Sequence, residues 1–442
     1  MRALRALLIL ALVAGPAAFG TSCSERPRAN PFDPANASTR GRPTGFVALA
    51  GNGRATLRWT IASAPGLIGY QAYRSLDPDT GFIAISSVLP SSVAEFSDVG
   101  LLNGTDHYYR LHYVFERGLD PLFASDVATP GPLTPWVTDE SAPALERLTA
   151  DGRHIAERID GAVIFSAGAV DVDPATGAVW TCDPYFGGLT IYQPRNATLT
   201  PALGGLSSPA AVAVDPVDHS AWVGDDGFDE LAHFAADGSR ATPPTAGPFE
   251  GPIGIAIDPA DQSVWVCERA GSRVRRMSRA GLPLTSSFVV NPSRVALDAA
   301  TGDAWVTSTS RGRIVRLSPA GARSDSVSSL AGPLDVAVDA ARGRIWVTDP
   351  SADLVAALRR DGTTEFTVRG LAGAYDLALD LATGEVWVTA YDAGTVVRIA
   401  PDGGILRRLG GFVSPHGIAL DPGTRPGPRT AAGPRRARGA RS

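Results

Sequence analysis

Four side chains with chemistry to offer stand at matching places late in the chain: Arg294, Asp335, Asp376 and His416, at intervals of 41, 41 and 40 residues. Two carboxylates and an imidazole could hold a divalent cation, and an arginine with a histidine could grip an anionic group. A solvated polar rim would use the same residues with no ligand. The other histidines, His107, His112, His154, His219 and His233, are scattered. No HExxH, nucleophile elbow or phosphate loop occurs in the context its mechanism requires. Cys182 and Cys267 fall in repeats separated by another repeat. A disulfide needs Cα atoms within about 7 Å, so they read as two small buried thiols.

Residues forty apart meet only if the chain returns to one axis once per repeat, and the tryptophans show that it does. Trp136, Trp180, Trp222, Trp265, Trp305, Trp346 and Trp387 are 44, 42, 43, 40, 41 and 41 residues apart. This period belongs to the blades of a β-propeller. Each of the last six tryptophans follows a short apolar strand ending in Asp, such as Val212-Ala-Val-Asp215 or Leu377-Ala-Leu-Asp380. Small residues alternate with branched ones because innermost strands converge on the axis. The seven aspartates 173, 215, 258, 298, 339, 380 and 421 can each accept hydrogen bonds from the turn they open, which marks them as structural. The tryptophans, one per blade, fill the space between sheets. The chain enters each innermost strand through Ala169, Ala211, Gly254, Arg294, Asp335, Asp376 and His416-Gly417. This column places the four candidates on one arc of the channel mouth, opposite small residues.

Gly417-Ile-Ala-Leu-Asp421 is an innermost strand with no Trp strand after it, whereas Trp136–Ile159 supplies outer strands with no innermost one. The two ends therefore make one blade and close the ring, which abolishes free sheet edges. Residues 136–421 resemble the NHL-repeat and streptogramin-lyase-like propellers, through the six-fold Asp-turn-Trp pattern and Ser414-Pro-His-Gly-Ile-Ala-Leu-Asp421. The resemblance implies an all-β chain with a seven-bladed β-propeller. In the lyase-like family a Pro-His-Gly start recurs in several blades, and other His and Glu serve catalysis with a divalent metal. Here Pro415-His416-Gly417 occurs once, so no catalytic set carries over. Gluconolactonase-like propellers use acidic and Asn metal ligands around the axis, and this column holds no Asn.

Upstream, 43–129 has the strand and turn spacing of an antiparallel β-sandwich. It resembles a fibronectin type III domain through the strand ending in Trp59, the strand Tyr70–Ser75 and Leu101-Leu-Asn-Gly-Thr-Asp-His-Tyr-Tyr-Arg110. His107 stands where that family has a corner tyrosine, and is expected to hydrogen-bond to the preceding loop. Residues 130–135 read as a linker. Residues 1–22 combine Arg2 and Arg5, an apolar run and small residues, the pattern of a secretory signal. Cys23 resembles the lipidated cysteine of bacterial lipoproteins, with Gly20 where that motif has Leu. Residues 23–42 read as a flexible tether, and 422–442, with six Arg and no acid, as a disordered basic tail. Residues 23–421 carry a formal charge of −13, which argues against nucleic acid as a partner.

The expectation is a monomeric, exported cell-envelope protein that displays a propeller for protein, peptide or glycan binding, anchored to a membrane through lipid on Cys23, with no enzymatic activity and no cofactor. The alternative is a metal-dependent lyase or lactone hydrolase at the channel mouth, with Asp335, Asp376 and His416 as ligands of a divalent metal.

Overall fold

The computed structural model describes residues 30–160, 164, 168–200, 205–241, 248–327 and 330–422. The signal segment, Cys23, the first part of the tether and the basic tail from residue 423 lie outside the described residues.

The described chain is β-structure joined by turns, with two single-turn 3-10 helices, Thr309–Arg311 and Pro350–Ala352. Seven antiparallel sheets follow one another from residue 134 to residue 421. Five of them contain four strands consecutive in sequence, for example Ala374–Leu379, Val386–Ala390, Thr395–Ile399 and Ile405–Gly410. The sheet built on Pro209–Val214 has three described strands. The seventh takes three strands from Thr134–Asp160 and its innermost from Pro415–Asp421. In it Ala419 lies opposite Trp136 and Ile418 opposite Val137, the pairing of chain ends expected from the sequence. Its first strand starts at Thr134, two residues inside the stretch read as linker. Each innermost strand touches the next, and Pro415–Asp421 touches both Ala374–Leu379 and Val170–Val172, so the ring closes.

The repeat tryptophans are buried and pack between sheets. Trp346, for example, meets Leu377, Val386 and Val397 of the following sheet. An arginine lies over the ring of five of them, four from a neighbouring strand, as Arg398 over Trp387 at 5.2 Å, and one, Arg344 over Trp346, from the same strand. On Trp222 the stacked His233, at 4.1 Å, takes that place. The turn aspartates act as expected: Asp173, Asp215, Asp258, Asp298, Asp339 and Asp380 each accept a backbone N–H two or three residues on. Cys182 and Cys267 are buried and unpaired with each other.

Two sheets over 47–128 enclose a core of Leu57, Trp59, Tyr70, Tyr109, Leu111 and Tyr113. His107 is buried, and neither ring nitrogen makes the hydrogen bond to the preceding loop that was expected of it. Residues 30–42 differ from the tether reading. They form turns closed by Asn30, Asp33 and Asn36 side chains, and Phe32 packs on Tyr113 at 4.9 Å and Phe115 at 5.7 Å. One aromatic residue in a polar segment is enough to dock it. The two-sheet unit abuts the closing sheet of the ring: Ala150 N–H donates to the Ala50 carbonyl at 3.1 Å, Thr129 N–H to Asp151 at 3.0 Å, and His154 pairs with Asp126 at 2.9 Å.

Candidate functional site

The sequence column enters the ring at a β-bulge. The pairing of innermost and second strands shifts between Pro292 and Val295, between Ala374 and Leu377, and between Pro415 and Ile418. A bulge leaves backbone groups without ladder partners, and a threonine two residues after the repeat Trp serves them. Thr307 Oγ1 accepts from Arg294 N–H at 3.0 Å and donates to the Leu334 carbonyl of the next sheet at 2.7 Å. Thr348 does the same between Asp335 and Tyr375, at 2.9 and 2.8 Å. Thr389 links Asp376 to His416 at 3.0 and 2.7 Å, and Thr138 links Gly417 to Gly168 at 2.8 and 2.6 Å. These four clasps join consecutive innermost strands. Cys182, Gly224 and Cys267 occupy the same place in the other three sheets.

The clasp fixes the true correspondence: Arg294, Asp335, Asp376 and Gly417 are equivalent, while His416 belongs with Ser293, Leu334 and Tyr375, one residue earlier. The four predicted site residues therefore occupy two places in the repeat rather than one. Arg294 and His416 line a cavity of about 340 Å³ at the mouth, together with Tyr375, Asn291, Ala169 and Pro184. Asp335 and Asp376 bind backbone instead. Asp335 Oδ2 accepts from Leu377 N–H at 2.9 Å, and Asp376 Oδ2 from Ile418 N–H at 2.9 Å, each in the following sheet. Asp171 makes the same reach to Val214 N–H at 2.8 Å.

The electrostatics follow from burial. Burial and the adjacent Asp376 carboxylate push Asp335 well above the ordinary carboxylate range, against the opposing pull of Arg294. Burial pushes Asp171 up to about 6. Burial also lowers the His416 pKa, against the Asp376 and Glu140 carboxylates, so its ring is neutral near pH 7. Its Nδ1 is sealed from solvent without a hydrogen-bond partner. Tyr375 covers the ring at 4.3 Å, and Tyr391, whose hydroxyl donates to Glu140 at 2.8 Å, stands at 6.4 Å. The Arg294 guanidinium donates through Nη1 to the carbonyls of Ile253 and Ser293.

This arrangement does not gather the metal ligands that the alternative reading requires. Among the described residues no three His, Cys, Asp or Glu side chains converge to hold a metal ion. Burial holds the Asp335 pKa well above the ordinary carboxylate range, and Asp335 and Asp376 each give an oxygen to a backbone N–H of the following sheet. Sequence reasoning missed the clasp threonines and Tyr375. Both were within reach: Thr recurs two residues after Trp136, Trp305, Trp346 and Trp387, and counting four residues back from each turn Asp gives Gly417, not His416. A further recurrent acid, three residues after Trp, ties down the entry loop. Asp225 accepts from Ser207 and Ser208, Asp349 from Ala331 and Gly332, and Asp139 from Val413 and Ser414.

The chain matches no family profile and no curated protein. Solved structures are similar at low identity. Streptogramin B lyase is 15% identical, with TM-score 0.52 over 65% of this chain and 91% of its own. Virginiamycin B lyase from Staphylococcus aureus is 16% identical, with TM-score 0.50 over 57% of this chain and 87% of its own. A functionally unknown protein from Desulfotomaculum acetoxidans is 15% identical, with TM-score 0.55 over 65% and 98%. At such identity the likeness speaks for architecture and not activity: the ring of sheets is a β-propeller.

Proposed function

We propose that this chain is an exported cell-envelope protein whose seven-bladed propeller, carried on a fibronectin type III-like domain, binds a protein, peptide or glycan at its channel mouth without turning it over. The observation that carries this reading is the commitment of Asp335 and Asp376 to backbone N–H groups of the next blade. A base or metal ligand needs a free, ionised carboxylate, and these two are spent on holding the ring. What remains at the mouth is a cavity lined by Arg294, Asn291, Tyr375, His416 and the Asp226–Arg269 pair among small and apolar residues, which is the make-up of a binding pocket. The monomer would be held at a membrane by lipid on Cys23. The lyase or lactone hydrolase alternative draws support only from a fold shared with lyases.

The test is to screen the full chain against peptide and glycan arrays, and then against lactones and cyclic esters with Mg²⁺ or Mn²⁺. Saturable binding that Tyr375→Ala abolishes, without ring opening of any ester, is the expected result. Metal-dependent turnover lost in Asp376→Asn would overturn it. Palmitate labelling that disappears in Cys23→Ala checks the anchor.

A further inference from the structure

A half-buried guanidinium beside a cavity ordinarily faces a carboxylate, because a desolvated charge without a partner is costly. Arg294 has none. Its Nη1 serves two backbone carbonyls, but among the described residues nothing accepts from Nε or Nη2, and no carboxylate forms an ion pair with it. Asp335 lies close enough to feel the arginine's charge, but its carboxyl accepts the Leu377 N–H and forms no ion pair with the guanidinium.

The cavity around Arg294 is walled by Pro184, Pro209, Ile253, Leu334 and Tyr375, with the Asp226–Arg269 ion pair, closed at 2.8 Å, also on its lining. Asn291 also lines it, with a side-chain amide that bonds to no described residue. The amide can donate and accept at once, as a peptide backbone requires. The net charge of −13 over residues 23–421 repels polyanions, which favours a ligand with a single carboxylate on an otherwise apolar body over an acidic polysaccharide. At about 340 Å³ the cavity is at the small end for ligand sites, fitting a chain end rather than a through-going strand.

Building on the binding role above, we propose that the mouth receives the C-terminal carboxylate of a peptide. The carboxylate sits side-on against Nε and Nη2 of Arg294 in a charge-assisted pair, the terminal apolar side chain lies against Tyr375 and the Pro–Ile–Leu wall, and Asn291 pairs with the last peptide group.

The test uses the full chain and peptides immobilised by their N-termini, each ending in an apolar residue and presented both as free acid and as amide. The tightest free-acid peptide is then titrated calorimetrically into wild type, Arg294→Lys, Arg294→Gln and Ala210→Glu, the last placing a carboxylate on the cavity wall. Amidation and Arg294→Gln are each expected to weaken binding by at least about tenfold, Arg294→Lys to weaken it less, and Ala210→Glu to abolish it. Unchanged thermal melts show that the variants fold. Equal binding of acids and amides, or loss in no variant, overturns the proposal. If only glycans or internal protein segments bind, this inference fails while the binding role stands; if nothing binds the mouth, both fail.

Discussion

The threonine clasp makes a prediction in which two similar substitutions have opposite consequences. Thr348 is fully buried, and its hydroxyl is the only partner of Asp335 N–H and of the Tyr375 carbonyl among the described residues. Thr348→Val keeps the shape and strands both groups at the bulge. Each buried group left unpaired costs about 1–3 kcal/mol, so the variant, with two, should lose about 2–6 kcal/mol. Thr181 is also buried, but in a blade without a clasp, and its hydroxyl has no partner. Thr181→Val removes a polar atom that was already desolvated, and stability should stay within about 0.5 kcal/mol of wild type or rise. Urea unfolding followed by tryptophan fluorescence compares the two. Amide exchange localises the effect: a local loss of about 2 kcal/mol should speed exchange of Asp335 N–H roughly 30-fold. Equal midpoint shifts in the two variants, or an Asp335 amide as protected as before, would refute the clasp.

Three further outcomes follow from the same geometry. Asp171, with its pKa raised to about 6 by burial, binds its proton more tightly folded than unfolded. Asp171→Asn should therefore gain stability relative to wild type as pH rises from about 4, the unfolded value, through the folded value, and a difference that is flat or falls across that window contradicts it. His154 has a raised pKa, chiefly from its hydrogen bond to Asp126. Its contribution is complete below about pH 6.5 and disappears as pH rises through the folded value, so the gap in melting temperature between wild type and His154→Gln should close as the solution becomes alkaline. Ending the chain after Ser414 strips Trp136–Asp139 of its partner strand and should give aggregation in light scattering, whereas ending it after Pro422 should leave a folded monomer.

The fold was legible because its two strongest signals are physical requirements repeated in every blade. A ring needs one large wedge between adjacent sheets, hence Trp, and one acceptor at each tight turn, hence Asp. The closing strand was legible for the same reason, since Asp421 marks an innermost strand with nothing to follow it. The mouth was legible only to within one residue. The bulge before each innermost strand breaks the two-residue alternation on which strand reading rests, so His416 was placed level with Asp376 although Gly417 holds that place. The role of the carboxylates was not legible, because a carboxylate that accepts a neighbouring N–H and one that awaits a cation look alike in a sequence.

The distribution of clasps explains why the cavity lies where it does. Four blades in succession carry Thr, and their entry positions hold Arg294, Asp335, Asp376 and Gly417. The other three carry Cys182, Gly224 and Cys267, with Ala169, Ala211 and Gly254 at the entry. On that side strands approach too closely for a side chain at the two glycines. A Cβ on Gly224 would lie 2.5 Å from the Pro252 carbonyl oxygen, and one on Gly254 would collide with that of Ser293. The unclasped arc thus contributes backbone and small residues, and so leaves space, while the clasped arc contributes polar side chains. Arg294 stands at the junction. It takes the Ile253 carbonyl, in the position that Thr clasps serve elsewhere and that Gly224 cannot reach, and so bridges the unclasped arc with one nitrogen while the rest of its guanidinium is left for the cavity. An arginine placed only to hold two blades together would need no cavity beside it, and a cavity made only by small residues would need no arginine; the coincidence of the two at one junction is the argument for the proposed binding of a single negative charge at this mouth.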